Sequence, residues 1–188
     1  MSPTRLICAL TLVGLVAGCG NDSSQFNVST SGFSSIADGH IIVRDGVVTL
    51  HRDNAPNAVI HANGDLLIDD KAVAIDATQR ELLKRYQQNA VAVREHGVAT
   101  GKAGAAVAGA AIKGAVDSVT SGDSKEIDKQ VDAQAKQVDL EAAKICEDLK
   151  GVQLAQDQLA ASLPAFKPYA GILREDDDED CKKESKDS

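Results

Sequence analysis

Three of the four histidines lie close together in the sequence, and histidine is the side chain here best suited to bind a metal ion. If Asp45-Gly46 forms a two-residue turn, His40 lies directly opposite His51 on the neighbouring strand. Side chains paired in this way have Cβ atoms about 4.5–5.5 Å apart and could share a metal ion, with His61 nearby. A catalytic zinc ion needs three protein ligands and an open position, so two histidines beside Arg44 make a poor site. We therefore predict surface hairpin residues and no metal site, with small-ligand or metal binding on this sheet face as the alternative.

Motifs for catalysis and nucleotide binding are missing from the sequence. There is no Gly-x-Ser-x-Gly elbow and no Ser-x-x-Lys motif for nucleophilic catalysis. The glycine-rich segment after Gly97 follows a predicted helix instead of a strand, which excludes the Rossmann and P-loop contexts. The paired carboxylates Asp69-Asp70 lie in a predicted turn, where solvation is the simplest interpretation. We predict a protein that is not an enzyme and carries no cofactor.

The N-terminus carries the most specific signal for chemistry, because it ends in a cysteine that can be acylated. One cation near Met1 precedes an apolar run over residues 6–18, which is too short for a transmembrane helix of about 20 residues. This pattern is typical of a signal peptide, predicted here over residues 1–18. The run ends in Leu15-Val16-Ala17-Gly18-Cys19, which resembles the bacterial lipoprotein box. The resemblance implies cleavage before Cys19, lipidation of its sulfur with palmitate-type chains, and membrane anchoring through that lipid.

The residues after the lipidation site indicate the compartment. Gly20 stands where an Asp would favour retention in the inner membrane, so we expect an outer-membrane anchor with the protein facing the periplasm. Disulfide bonds persist in that oxidising compartment. Two cysteines remain in the mature chain, Cys146 and Cys181, and we predict that they pair; two unpaired thiols are the alternative.

Composition excludes one large class of partner. The chain has 188 residues with 20 Lys and Arg against 28 Asp and Glu, a formal net charge of −8. A nucleic-acid-binding protein needs a basic face to neutralise phosphates, so we expect no nucleic-acid partner. The partner expected instead is an unidentified protein of the cell envelope.

The elements that must position these residues follow from turn signals and periodicity. Strong hairpin signals at Asp45-Gly46 and Asn63-Gly64 predict a small antiparallel β-meander of four or five strands over residues 38–75. Such a sheet buries one face and needs a cover. A long α-helical hairpin, residues 77–120 and 125–163, supplies it, which predicts an α+β fold.

Three signals describe the helical hairpin. Asp76 or Thr78 can cap the first helix, with Gln79 or Glu81 as the reciprocal partner. Small residues recur every fourth position in its second half, which favours close packing against another helix; contact with a membrane surface or an irregular glycine-rich hinge are the alternatives. These are Gly97, Gly101, Ala105 and Gly109.

The second helix has the clearest periodicity in the sequence. Apolar residues seven apart, with a second set four positions later, form a coiled-coil-like seam over residues 131–163, in which Gln156 is the polar member. An intramolecular hairpin, turning at residues 121–124, explains the seam best; a homodimer through the seam is the alternative to a monomer. The two sets are Val131, Val138, Ile145, Val152 and Leu159, and Ala135, Ala142, Leu149, Gln156 and Leu163.

The chain therefore divides into four parts. After the signal peptide, residues 19–36 are rich in Ser, Asn and Gly and predict a flexible tether. Residues 37–173 form the α+β domain. Residues 174–188 form a charged tail that is predicted to be solvated and disordered, except where Cys181 holds it.

Several segments together resemble the YggN-like family of bacterial envelope proteins, which carries a domain of unknown function. The match rests on Asn63–Ile68, on Ala77–Tyr86, and on a late cysteine-bearing helix that ends in Leu163-Pro164. It covers roughly residues 38–170. The resemblance implies a periplasmic protein and brings no established activity or catalytic residues.

Overall fold

The computed structural model describes residues 26–28, 33–120 and 125–174. Within these ranges the chain forms seven short strands followed by two long helices, which confirms the predicted α+β fold. The strands are β1 (Phe26–Val28), β2 (Phe33–Ile36), β3 (Ile41–Arg44), β4 (Val47–Arg52), β5 (Ala55–Ile60), β6 (Leu66–Ile68) and β7 (Lys71–Ala72). Each pairs antiparallel with the next, so the sheet order follows the chain from β1 to β7.

Strands β1 and β2 lie inside the segment that was predicted as a flexible tether. The tether over 19–36 is therefore wrong for residues 26–28 and 33–36, and the sheet has seven strands instead of four or five. Periodicity missed them because Ser and Asn fill the segment, whereas strand pairing is made by the backbone and tolerates those side chains. Ile36, at the end of β2, is buried in the core.

The hairpin between β3 and β4 forms as predicted. Asp45 and Gly46 have φ values of 51° and 76°, the left-handed region that a two-residue hairpin turn requires. Arg44 pairs with Val47 across the turn, in the expected register. Alternate residues of both strands are buried, so one face of the sheet packs on the core.

The hairpin between β5 and β6 has a different turn from the predicted one. Ile60 pairs with Leu66, so the connection is a five-residue loop and not a two-residue turn at Asn63-Gly64. The Asn63 side chain causes the difference, because its Oδ1 accepts a hydrogen bond from the backbone N–H of Asp65 at 3.0 Å. This side-chain hydrogen bond therefore stabilises a loop that is longer than the predicted two-residue turn.

Two helices cover the sheet: α1 (Ala77–Thr120) and α2 (Lys125–Ser162). The predicted capping box starts α1, since the backbone N–H of Gln79 donates to Asp76 Oδ1 at 2.8 Å and that of Asp76 to Gln79 Oε1 at 3.0 Å. The Gln79 amide also donates to the backbone oxygen of Ser162, so the start of α1 lies beside the end of α2. The predicted intramolecular hairpin is thus confirmed; its turn, 121–124, lies outside the described residues.

The core lies between the sheet and the adjoining halves of the two helices. A short 3₁₀ helix (Pro164–Tyr169), absent from the sequence prediction, completes it by placing Phe166 against Tyr86 and Tyr169. Burial raises the pKa of the Tyr86 hydroxyl far above its usual value. The largest fully buried apolar side chains are Ile36, Ile41, Leu50, Ile60, Leu66, Leu83, Tyr86, Leu159, Phe166 and Tyr169.

Candidate functional site

The two histidines predicted to face each other do so. The backbone N–H of His51 donates to His40 O at 2.8 Å, which places the residues side by side on neighbouring strands. Their imidazole rings, however, bond separate oxygen atoms: His40 Nδ1 donates to the His51 carbonyl at 2.9 Å, and His51 Nδ1 donates to Asn57 Oδ1 at 2.8 Å. Among the described residues, no three His, Cys, Asp or Glu side chains form a group that could hold a metal ion.

A small polar cavity of about 150 Å³ lies beside His40. Its walls include Asp38 on the β2–β3 turn, Arg52 at the end of β4, and Arg174 after the last helix. Arg52 is held in place because its Nη2 donates to the Ala170 carbonyl at 3.0 Å. Two arginines, one histidine and one carboxylate around a cavity of this size suit a small anion such as a carboxylate or phosphate group.

The turn beside this cavity is strained. Ala37, Asp38 and Gly39 are consecutive and have φ values of 53°, 55° and 89°. A left-handed conformation costs a non-glycine residue roughly 1–2 kcal/mol. Such strain persists only where packing imposes it, and here Ala37 is buried in the hydrophobic core. Sequence analysis missed this turn although Asp38-Gly39 is itself a turn signal, because the residues before it carry no side-chain pattern that predicts a strand.

The polar member of the α2 seam, Gln156, holds the C-terminal segment. Its buried amide makes two hydrogen bonds to the backbone of Leu173: Nε2 donates to the carbonyl at 2.9 Å, and the Leu173 N–H donates to Oε1 at 3.1 Å. The Tyr169 hydroxyl adds a bond of 2.6 Å to the Pro56 carbonyl on β5. These contacts fix one wall of the cavity and explain why a polar residue occupies a buried seam position.

A second polar cluster joins the helices beyond the sheet, and sequence analysis did not identify it. His96 on α1 lies between two carboxylates on α2, with Nδ1 at 2.6 Å from Glu141 Oε2 and Nε2 at 3.6 Å from Asp148 Oδ2. The Asp148 Oδ2 atom is buried and has no hydrogen-bond partner among the described residues. The signal available in sequence was the spacing of two acids by seven residues on the seam side of α2.

Beyond the core, the two helices continue as a projection that we call the arm, residues 97–120 and 125–144. At 1.5 Å per residue, the α1 part alone is about 35 Å long. Only Ala103 among its described apolar side chains is fully buried. Neither α1 nor α2, in the portions that the structure describes, is apolar enough over a sufficient length to cross a membrane.

Of the small-residue stripe of α1, Gly97 is buried, whereas Gly101, Ala105 and Gly109 are exposed and do not pack against the described part of α2; close packing of these three against another helix stays a prediction. A Cβ atom added at Gly101 or Gly109 would have no described atom within 4 Å. Ala103, Val107 and Ala110, on another side of α1, are less exposed than these positions. The close approach of the two helices occurs elsewhere: a Cβ on Gly151 would lie 2.6 Å from the Asn89 side chain.

The predicted covalent sites lie largely outside the described residues. Cys19, Cys181 and the acidic tail beyond Arg174 are among the residues not described, so their roles stay predictions. Cys146 is half-buried on α2 and is disulfide-bonded. Its predicted partner, Cys181, lies outside the described residues, so the Cys146–Cys181 pairing stays a prediction.

Comparisons with protein-family models, with curated proteins and with solved structures found no match to this chain.

Proposed function

We propose that this protein is a non-enzymatic lipoprotein of the cell envelope that acts by binding another helix through the outer face of its arm. Lipid on Cys19 anchors it to the outer membrane, with the domain in the periplasm. The YggN-like resemblance and the lipoprotein box support that placement, and the absent catalytic motifs support a binding role. The observation that carries the proposal is the arm itself, whose outer α1 face is apolar and solvent-exposed.

The composition of this face suits helix docking. Residues 103–112 carry no charge, and Ile112 at its end is 69% exposed. Val98, Ala105 and Ile112 are seven residues apart, with Gly101 between the first two, which is the spacing of a helix-packing seam. Because small side chains dominate the middle of the face, a second helix can approach closely.

The face is self-complementary, which favours a second copy of this chain as the occupant. Val98 and Ile112 lie seven residues on either side of Ala105, and Gly101 and Gly109 lie four residues on either side. A two-fold axis at Ala105 therefore places large residues against large and glycine against glycine in an antiparallel pair. In a two-fold symmetric dimer, both subunits use the same surface patch, so the patch must be complementary to itself.

Charges beside the face fit the same arrangement. Glu95 and Lys113 are both exposed and are eighteen residues, five full helical turns, apart, so they lie on one side of α1. In the antiparallel pair, Glu95 lies within about 3 Å along the axis of the partner's Lys113, and the reverse contact forms by symmetry. Opposite charges placed this way fix register and orientation.

Cysteine crosslinking of the full chain in cells tests the proposal. Ala105→Cys places a thiol on the two-fold axis, and we expect a disulfide-linked dimer at twice the monomer mass. Ala106→Cys is the matched control, since it is equally exposed but lies 100° around the helix. A crosslink from Ala105→Cys to a different protein, or no crosslink, would overturn the assignment of the second copy.

The lipid anchor has its own test. Mass spectrometry of the intact mature protein is expected to show acyl chains on an N-terminal Cys19 and the loss of two hydrogens for Cys146–Cys181. A chain that still begins at an unmodified Met1 would contradict the envelope location.

The polar cavity supports a second candidate function, small-anion binding by the sheet side of the domain. The supporting observation is the set of His40, Arg52 and Arg174 side chains around a strained turn. Calorimetry with inorganic phosphate and with acetate is expected to give saturable heat that Arg52→Gln reduces. Equal heats for Arg52→Gln and the native chain would remove this candidate.

A further inference from the structure

The chain enters the sheet at the same end at which the polar cavity lies. Phe26, the first residue of β1, pairs with Ile36, the last residue of β2. The next two residues along the chain, Ala37 and Asp38, are walls of the cavity. Arg52 ends β4 at this end of the sheet too, because β4 runs antiparallel to β3. Neighbouring strands are about 4.8 Å apart, so β1 and the start of β3 are separated by about 10 Å.

This entry point limits how far the cavity can lie from a lipid on Cys19. Cys19 precedes Phe26 by seven positions, which is much shorter than the predicted tether over 19–36. An extended chain spans at most about 3.3–3.6 Å per residue, so this link reaches about 25 Å at most. With the lipid on Cys19 that the proposed function includes, and on which this placement depends, the cavity stays within reach of phospholipid headgroups.

The cavity carries side-chain charges of both signs. Arg52 and Arg174 supply guanidinium groups, which stay cationic at physiological pH, and Asp38 supplies a carboxylate. The bond from Arg52 Nη2 to the Ala170 carbonyl, at 3.0 Å, holds one guanidinium in place. A guanidinium has five N–H donors, so donors remain for a ligand. Asp38 and Arg174 are exposed, so the cavity opens at the surface.

A ligand that suits all three side chains needs an anionic group and a cationic group close together. Phosphate oxygens accept charge-assisted hydrogen bonds from guanidinium groups. A purely anionic ligand would place its charge beside the Asp38 carboxylate, which opposes binding. A primary ammonium group, with three N–H donors, pairs with that carboxylate instead. The formal net charge of −8 also opposes adhesion to an anionic surface by overall charge.

We propose that the polar cavity binds the headgroup of a zwitterionic phospholipid in the membrane that carries the anchor. The phosphate of the headgroup contacts Arg52 and Arg174, and its primary ammonium contacts Asp38. This assignment gives the small-anion candidate a ligand class and a source. The three side chains lie outside the arm, so headgroup binding is compatible with pairing of two arms.

Calorimetry of the full mature chain with Cys19→Ser tests the cavity separately from the anchor. The probes are dihexanoyl phosphatidylethanolamine and dihexanoyl phosphatidylglycerol, both below the concentration at which they form micelles, and inorganic phosphate. We expect the ethanolamine lipid to bind about tenfold more tightly than the other two, because it alone donates hydrogen bonds to a carboxylate from a charged group. Equal affinities for the two lipids would overturn the proposal. Inorganic phosphate bound as tightly as the ethanolamine lipid would overturn it in favour of a free small anion.

The sharpest comparison is Asp38→Asn, since asparagine tolerates the φ of 55° at this position. Loss of the carboxylate is expected to remove the preference for the ethanolamine lipid and to raise the affinity for the glycerol lipid. Asp53→Asn, exposed between β4 and β5, is the matched control and should keep the native preference. An unchanged preference in Asp38→Asn would overturn the proposal.

Arg52→Gln tests the phosphate contact. It is expected to weaken binding of all three probes about tenfold, because a charge-assisted hydrogen bond is lost. Arg85→Gln, exposed on α1, is the control and should bind as the native chain does. Since Arg52→Gln also loses the bond to Ala170, the Asp38→Asn result decides the outcome if this variant fails to fold.

The membrane as the source of the headgroup has its own readout. The native acylated chain is reconstituted in phosphatidylcholine vesicles with and without phosphatidylethanolamine, because the quaternary ammonium of choline has no N–H to donate. We expect slower hydrogen exchange at residues 37–40 and 170–174 in the vesicles that contain the ethanolamine lipid; equal exchange would overturn the proposal. A missing acyl chain on Cys19 or a missing Ala105→Cys crosslink would contradict the proposed function and leave the calorimetric result unchanged, so the two failures are distinguishable.

Discussion

The two halves of each long helix behave as different structures. Near the sheet, α1 and α2 bury Leu83, Tyr86 and Leu159 against β-strands and the 3₁₀ helix. In the arm, Ala103 is the one fully buried apolar side chain among the described residues, and large apolar residues such as Ile112 and Leu140 are exposed. The helices therefore extend beyond the part that packs on the sheet, and this extension is the part that we propose binds a second copy.

This difference has an energetic basis. Burial of large side chains contributes about 1.5–3 kcal/mol each, whereas alanine contacts contribute far less. The sheet and the helix halves that pack on it, which we call the body, can stay folded while the arm opens locally. Elements with few buried apolar contacts open at low free-energy cost.

The largest expected effect compares one residue type in the two halves of α2. Leu159→Ala removes a fully buried side chain from the core, and we expect a loss of about 3–5 kcal/mol in unfolding free energy. Leu140→Ala, at a position 59% exposed in the arm, is expected to change stability by no more than about 0.5 kcal/mol. Urea titration of both variants measures the contrast. Similar losses would show that the arm is as tightly packed as the body.

The second-largest expected effect on stability compares alanine substitution at two glycines, one beside the sheet and one in the arm. Gly64 has a φ of 81°, and a Cβ atom there would lie 2.6 Å from the backbone oxygen of Arg80 on α1. Gly64→Ala is therefore expected to cost about 2–3 kcal/mol through strain and displacement of the β5–β6 loop. That loop also carries the Asp65–Arg80 ion pair, which lowers the pKa of Asp65.

The matched control for Gly64 is Gly104, which lies in the arm and is not one of the residues of the proposed dimer face. Gly104→Ala meets no described atom and is expected to stabilise the helix by up to about 1 kcal/mol. Thermal unfolding of the two variants gives shifts of opposite sign. A stabilising Gly64→Ala would contradict the observed contact between the loop and α1.

The smallest expected loss concerns the C-terminal segment. Gln156→Ala removes two hydrogen bonds and leaves the buried Leu173 backbone without these partners, at a cost of about 2 kcal/mol. Limited proteolysis should then cut near residues 170–174 faster than in the native chain. Gln158→Ala, exposed on the same helix, is the control and should leave cleavage unchanged.

Local signals in the sequence were sufficient for much of the architecture. The Asp45-Gly46 turn, the Asp76 cap and the helix bounds follow from rules that act within a few residues, so they could be predicted. The β1 and β2 strands could not, because their stability comes from backbone pairing with β3 and not from their own side-chain pattern. The five-residue β5–β6 loop likewise depends on one side-chain hydrogen bond.

The sequence by itself determined the α+β order of elements, the pairing of His40 with His51 and the periodicity that joins the helices, since each depends on spacing along the chain. Tertiary structure alone decided which face of α1 meets α2, why Gln156 is buried, and that His96 lies between Glu141 and Asp148. These contacts join positions 17 to 52 residues apart, and they depend on the twist and offset of packed helices, which residue spacing does not specify.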